Sequence, residues 1–207
     1  MRHKNSLTLL TYWNARRGDR PAPSRADIEP ADIGAILPHV YICERLADAD
    51  FSFRLAGTAI CNLMGRELKS APLSSIWLTE GRRYAVRTAA AAVGGVPAIL
   101  ALDGLSAGGR VLRAEALMLP MLGPSGALDR LFGSISVIDP PYWVGHEPIT
   151  GFSTTGIRFL DLARDTPFLS NRPEVALPGS IEERRAPLFG RRNIAHLTLI
   201  EGGRRED

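Results

Sequence analysis

Few side chains in this sequence are spaced for chemistry, and each is judged by its surroundings. Cys43 lies in an apolar strand pattern and Cys61 on an apolar helical one, settings in which a thiol is a small hydrophobe. The four histidines are far apart in sequence, and no His/Cys pair has zinc spacing. The glycine pairs at 94–95, 108–109 and 202–203 lack the lysine and the spacing of a phosphate loop, so they read as caps and turns. Gly123-Pro124-Ser125-Gly126 brings its second glycine one residue too early for a nucleophile elbow. Glu115 is the one carboxylate inside an apolar strand pattern. It either faces a cavity, binding a ligand or holding Arg54, or points outward and pairs with Arg113. Nothing here composes a catalytic set, so no enzyme activity and no metal site are assigned.

A pocket is the function these residues suggest instead. In the strand pattern around residue 115, Leu112, Ala114, Ala116 and Met118 share one face, and Gly133 lies in the next strand beside Ile135 and Val137. Small side chains there, opposite Phe53, Leu55 and Tyr84 and below Ile60 and Met64 of a short helix, would leave an apolar space for a small ligand. The candidate pocket is therefore Phe53, Leu55, Ile60, Met64, Tyr84, Ala114, Ala116, Gly133 and Ile135. The same small residues would equally let a helix approach the sheet and leave a filled core.

The elements that would position this pocket centre on residues 50–68, DFSFRLAGTAICNLMGREL. Phe51, Phe53 and Leu55 alternate with polar or small residues as in a half-buried strand. Gly57 permits a sharp change of direction, Thr58 can cap the following helix, and Gly65 stops it. A first helix is predicted over residues 5–17, capped by Asn5 or Ser6, with Leu7, Leu10 and Trp13 on one side. That apolar stripe packs either on the body or on a second copy of the chain. Pro30 and Pro38 bracket a short helix, and strands are predicted at 39–47 and 50–56, joined through Asp48-Ala49. A longer helix is predicted over 80–93 with Thr79 as cap and Val86, Ala89 and Val93 inward. Strands at 97–102, 110–121 and 128–138 complete an α+β fold: a five-stranded antiparallel sheet with helices on one face. Residues 1–29 are then an N-terminal helix and linker, and 30–139 the core. Residues 140–207 are read as an extended arm, partly disordered, with an edge strand at 193–200.

Composition is that of an ordinary globular chain: 207 residues, 45% apolar, 23% charged, net charge +3. No apolar run is long enough to span a bilayer, and the basic N-terminus is interrupted by polar residues, so a cytoplasmic protein is expected. The arginine pairs 184–185 and 191–192 raise the alternative of a nucleic-acid or cyclic-dinucleotide regulator. They lack the Arg-x-x-x-Arg spacing, the Asn/Asp-x-Ser-x-x-Gly element and any interleaved aromatics, and are read as a solvated tail.

Strand, strand, helical crossover, three strands is an order that resembles the PAS domain family. More narrowly, YWNARRG, PSRADIEPADIGAILPHV, FSFRLAGTAI, GREL, EALMLPML and HLTLIEGG are similar to the small stand-alone bacterial PAS proteins once filed as a domain of unknown function. The resemblance implies a sensory or regulatory module without its own output domain, often a homodimer, with some relatives tied to motility or cell-cycle signalling. Under it, Leu7, Leu10 and Trp13 become the expected dimer or partner helix, and an unidentified signalling protein and a small apolar ligand the expected partners. Flavin-type light sensors of this family carry a cysteine within Asn-Cys-Arg where this chain has Gly65-Arg66-Glu67-Leu68. Haem-binding members commonly place a histidine on the long helix, and residues 79–95 contain none. Neither flavin photochemistry nor helix-histidine haem ligation is expected.

Overall fold

Strand β1 (Val40–Arg45) and strand β2 (Phe51–Ala56) form a hairpin whose end is locked by Gly57. The Gly57 N–H donates to the Val40 carbonyl at 2.8 Å, and a Cβ on Gly57 would sit 2.2 Å from the Pro38 carbonyl oxygen. Only glycine lets the backbone pass so close to the segment before β1. Helix α2 (Thr58–Met64) starts directly after Gly57 and ends at Gly65 in the left-handed conformation. The structure, a computed structural model, describes residues 3–46 and 50–161 and, beyond them, the backbone pairing of Val175–Ala176. The hairpin link at 48–49, the arginine pairs and the expected edge strand at 193–200 lie outside the described residues.

Helix α3 (Thr79–Val93) crosses over, and β3 (Ala98–Ser106), β4 (Val111–Leu122) and β5 (Leu128–Ile138) follow as the expected antiparallel meander. The sheet is larger than the five strands predicted. Its order is β2-β1-β5-β4-β3-β6-β7, where β6 is Ile149–Phe159 and β7 the two-residue Val175–Ala176. The β6 strand falls in the stretch read as an arm. Its pairing with β3 shifts register between Ala101 and Leu102 and again between Leu105 and Ser106. Those irregularities break the period-two pattern: buried Ile149, Phe152 and Ile157 are not evenly spaced, and Gly151 and Gly156 interrupt them.

Helices cover both faces of the sheet, not one. On the inner face α2 and α3 pack over Phe51, Phe53, Leu100, Ala116 and Ile135. On the outer face helix α1 (Lys4–Arg17) and the 3-10 segment Pro30–His39 cover Val40, Ile42, Leu117, Met121 and Phe132. The Trp13 side chain has no exposed surface, and its Nε1 donates to the Pro120 carbonyl at 2.8 Å. Leu10 is 1% exposed and Leu7 44%. The stripe assigned to a dimer is thus largely the chain's own core, with Leu7 alone left outside. Apolar residues on both faces of β1 and β4 demand two covering layers, and α1 supplies the second. The cap of α1 is His3, whose Nδ1 accepts the Asn5 N–H at 3.1 Å, while Asn5 and Ser6, the expected caps, are buried.

Candidate functional site

The inner layer brings most of the expected pocket residues together and packs them shut. Ile60, Met64, Ala114, Ala116, Ile135 and Phe53 share one core cluster with Tyr84 against it, and Phe53 and Ala116 are 0% exposed, leaving no water-sized space beside them. Gly133 is fully occupied from above: a Cβ there would meet the Leu117 carbonyl oxygen at 2.1 Å and the Tyr41 ring at 2.5 Å. Tyr41 and Gly133 are cross-strand partners, and the phenol donates to the Leu117 carbonyl at 3.0 Å. Its ring meets Phe53 edge-on, with centroids 5.9 Å apart. The glycine makes room for an aromatic ring, not for a ligand. Leu55 leaves the group altogether. Phe53 pairs with Cys43 and Leu55 with Ile42, so Arg54 is an extra, bulged residue. The bulge turns Leu55 to the outer face, where it is 40% exposed.

Glu115 is also on the outer face, 3% exposed, and its Oε1 accepts the His3 N–H at 3.2 Å. It neither enters the inner layer nor holds Arg54, which pairs with Glu44 at 3.3 Å. Asp103, Arg113, Glu115 and Arg158 line a recess of about 50 Å³, room for a water or two. Burial pushes both cysteine thiols up, so each is held as the uncharged thiol. Among the described residues no group of three or more His, Cys, Asp or Glu side chains is placed to hold a metal ion.

The larger space lies at the end of β5. The β1 ladder stops at Val40 opposite Ser134, while β5 runs on along β4 to Ile138 opposite Arg113. In the gap left beside β5, helix α2, the Pro30–His39 segment, the start of α1 and the turn after Asp139 enclose a cleft of about 500 Å³. This is within the size range of small-molecule sites. Its floor is apolar: Ala59 and Leu63 from α2, Ile135 and Val137 from β5, and Val144. Its more exposed lining, the rim, is basic and amide-bearing, with His3, Lys4, His39 and Asn62, and the buried Asn5 lies among them. Ile135 is the one residue of the expected pocket that reaches it.

Two local devices build this cleft. The Gly57–Pro38 contact fixes where the Pro30–His39 segment meets α2. The His3 cap and its bond to Glu115 fix where α1 begins. Asn5, 5% exposed, ties that start to β5 by donating from Nδ2 to the Ser136 hydroxyl at 3.1 Å. Burial lowers the His3 pKa, a tendency Glu115 opposes and His39 and Lys4 reinforce. The rim residues come from the ends and polar faces of α1, α2 and the Pro30–His39 segment, where an apolar period carries no signal. The gap between where β1 starts and where β5 ends is fixed only by the pairing of the two strands.

A family model described as PAS domain matches residues 1–136. No curated protein matches the chain. Among solved structures, a light-oxygen-voltage domain studied with a flavin analogue is 12% identical, with 54% of this chain and 87% of that one covered and a TM-score of 0.40. The light-state structure of the blue-light photoreceptor Aureochrome1 LOV is 16% identical, with 56% and 91% covered and a TM-score of 0.41. The family model takes in both the β1–β2 hairpin and most of β5, well over half of the sequence, and the chain belongs to the PAS domain family.

Proposed function

We propose that this protein is a sensory PAS module whose input is a small molecule held in the cleft at the end of β5. The observation that carries the reading is the cleft itself: about 500 Å³, apolar below and basic above, beside an inner layer that is packed. Its output is a change in association, with a second copy or with a signalling protein. The start of α1 lines the cleft while the body of α1 lies on the outer face. An occupant that binds one position of α1 better than another shifts the population toward it by that difference in affinity. The reading assigns the protein no catalytic step, and it places the module in the cytoplasm. A role in motility or cell-cycle signalling rests on the sequence resemblance alone.

Mass spectrometry of freshly purified protein, native beside denaturing, tests the input. The expected result is an added mass lost on denaturation and missing from an Ala59→Trp variant, which plugs the cleft. The same spectra, with visible absorbance, report a flavin or a haem. A bare mass, joined to a ligand-observed NMR fragment screen in which Ala59→Trp binds the same fragments as wild type, would overturn the cleft as input site.

A further inference from the structure

We infer that the cleft takes an amphiphilic organic anion, its charged head at His3, Lys4 and His39 and its hydrocarbon body on the floor between α2 and β5. This rests on the reading of the cleft as the input site and adds the class of ligand. Among the described residues, three basic side chains line the cleft and no carboxylate does. Glu115, the acid nearest in contact, is engaged by the His3 N–H on the outer face.

The donors are specified by the fold. Because His3 Nδ1 accepts the Asn5 N–H, the neutral ring carries its proton on Nε2 and presents a donor there. Lys4 adds a full charge with three donors. The start of a fourteen-residue helix adds partial positive charge of the same sign. Burial holds the His3 ring toward its neutral form, a tendency Glu115 opposes and His39 and Lys4 reinforce, so the fixed positive charge of the rim is that of Lys4, with ring donors beside it. An anion there meets the Lys4 charge and hydrogen-bond donors, whereas a cation meets like charge at Lys4.

The floor sets the rest of the molecule. Leu63, Ile135, Val137 and Val144 offer only hydrocarbon, so the part of the ligand resting there is aliphatic or aromatic. At about 30 Å³ for each non-hydrogen atom, as for a water molecule, the half-open cleft takes roughly ten to sixteen of them. A sugar phosphate or a dicarboxylate would leave polar groups against that floor without partners.

A matched series separates the class of ligand from the site: 4-phenylbutyrate, 4-phenylbutanol and 4-phenylbutylamine, titrated calorimetrically into the full chain. The butyrate is expected to bind about tenfold or more tighter than the alcohol, as a charge-assisted hydrogen bond requires, and the amine weakest. 4-Phenylbutyl phosphate tells a phosphate head from a carboxylate, and either anion exceeding the alcohol supports the inference. Lys4→Gln and His39→Gln, at positions outside the core, should each narrow the gap between butyrate and alcohol, lowering butyrate affinity more than alcohol affinity. Equal affinities for the three, or a preference for the amine, would overturn the anion and leave the cleft standing. If none of the four compounds binds while the fragment screen shows hits blocked by Ala59→Trp, the anion class is wrong; if Ala59→Trp changes nothing in either assay, the cleft itself is.

Discussion

The inner layer under α3 and the cleft at the end of β5 are built from similar side chains, yet one is packed and the other open. Around Gly133 the sheet is continuous: β1 pairs on one side and β4 on the other, so the Tyr41 ring from the neighbouring strand lies over the glycine. A few residues further along β5 the β1 ladder has ended, and no neighbouring strand supplies a ring to fill the space above Val137. Openness here follows strand length and register, not side-chain size. Small residues in a paired strand invite a neighbour in, and cavities belong where pairing stops.

Three experiments press on that contrast. The largest effect comes from the layer that closes the outer face: Trp13→Ala should cost about 3–5 kcal/mol in urea unfolding, the range for a buried aromatic. A loss under about 1 kcal/mol, with dimer dissociation in sedimentation, would instead return α1 to the role of an interface.

The second compares the two regions directly. Gly133→Ala puts a Cβ against a backbone carbonyl that cannot move, and about 3 kcal/mol of stability should go. Ala59→Leu adds three carbons at the cleft, on a half-buried helical position, and the change should stay within about 0.5 kcal/mol. Similar costs for both would mean that the cleft is as tightly packed as the core.

The smallest effect is on pH dependence. The His3 pKa is lowered from its ordinary 6.5, chiefly by burial, so folding favours the neutral ring. The stability this confers is complete above about 6.5 and is lost as pH falls through the lowered folded value. The same proton would occupy the Nδ1 lone pair that caps α1. Chemical denaturation of wild type and His3→Gln between pH 7 and 5 should give a shallower acid-side loss in the variant. Identical slopes would show that His3 does not titrate against the fold.

Much of this protein was legible in its sequence because local chemistry dictates it. The β1–β2 hairpin, the Gly57 passage, α2 with its Gly65 stop and the β3–β5 meander follow from period, glycine and proline alone. The alternation on β4 correctly put Leu112, Ala114, Ala116 and Met118 on one face. Tertiary structure decided three things that no local pattern encodes. Bulges between strands sent Leu55 to the other face and hid β6, because one extra residue reverses every side chain beyond it. The second apolar face of the sheet claimed Trp13 for the chain's own core, since an unpaired helix stripe and an uncovered sheet face satisfy each other first. The cleft exists because β1 starts where β5 has several residues still to run, and a difference between the ends of two strands far apart in sequence is set only when they pair.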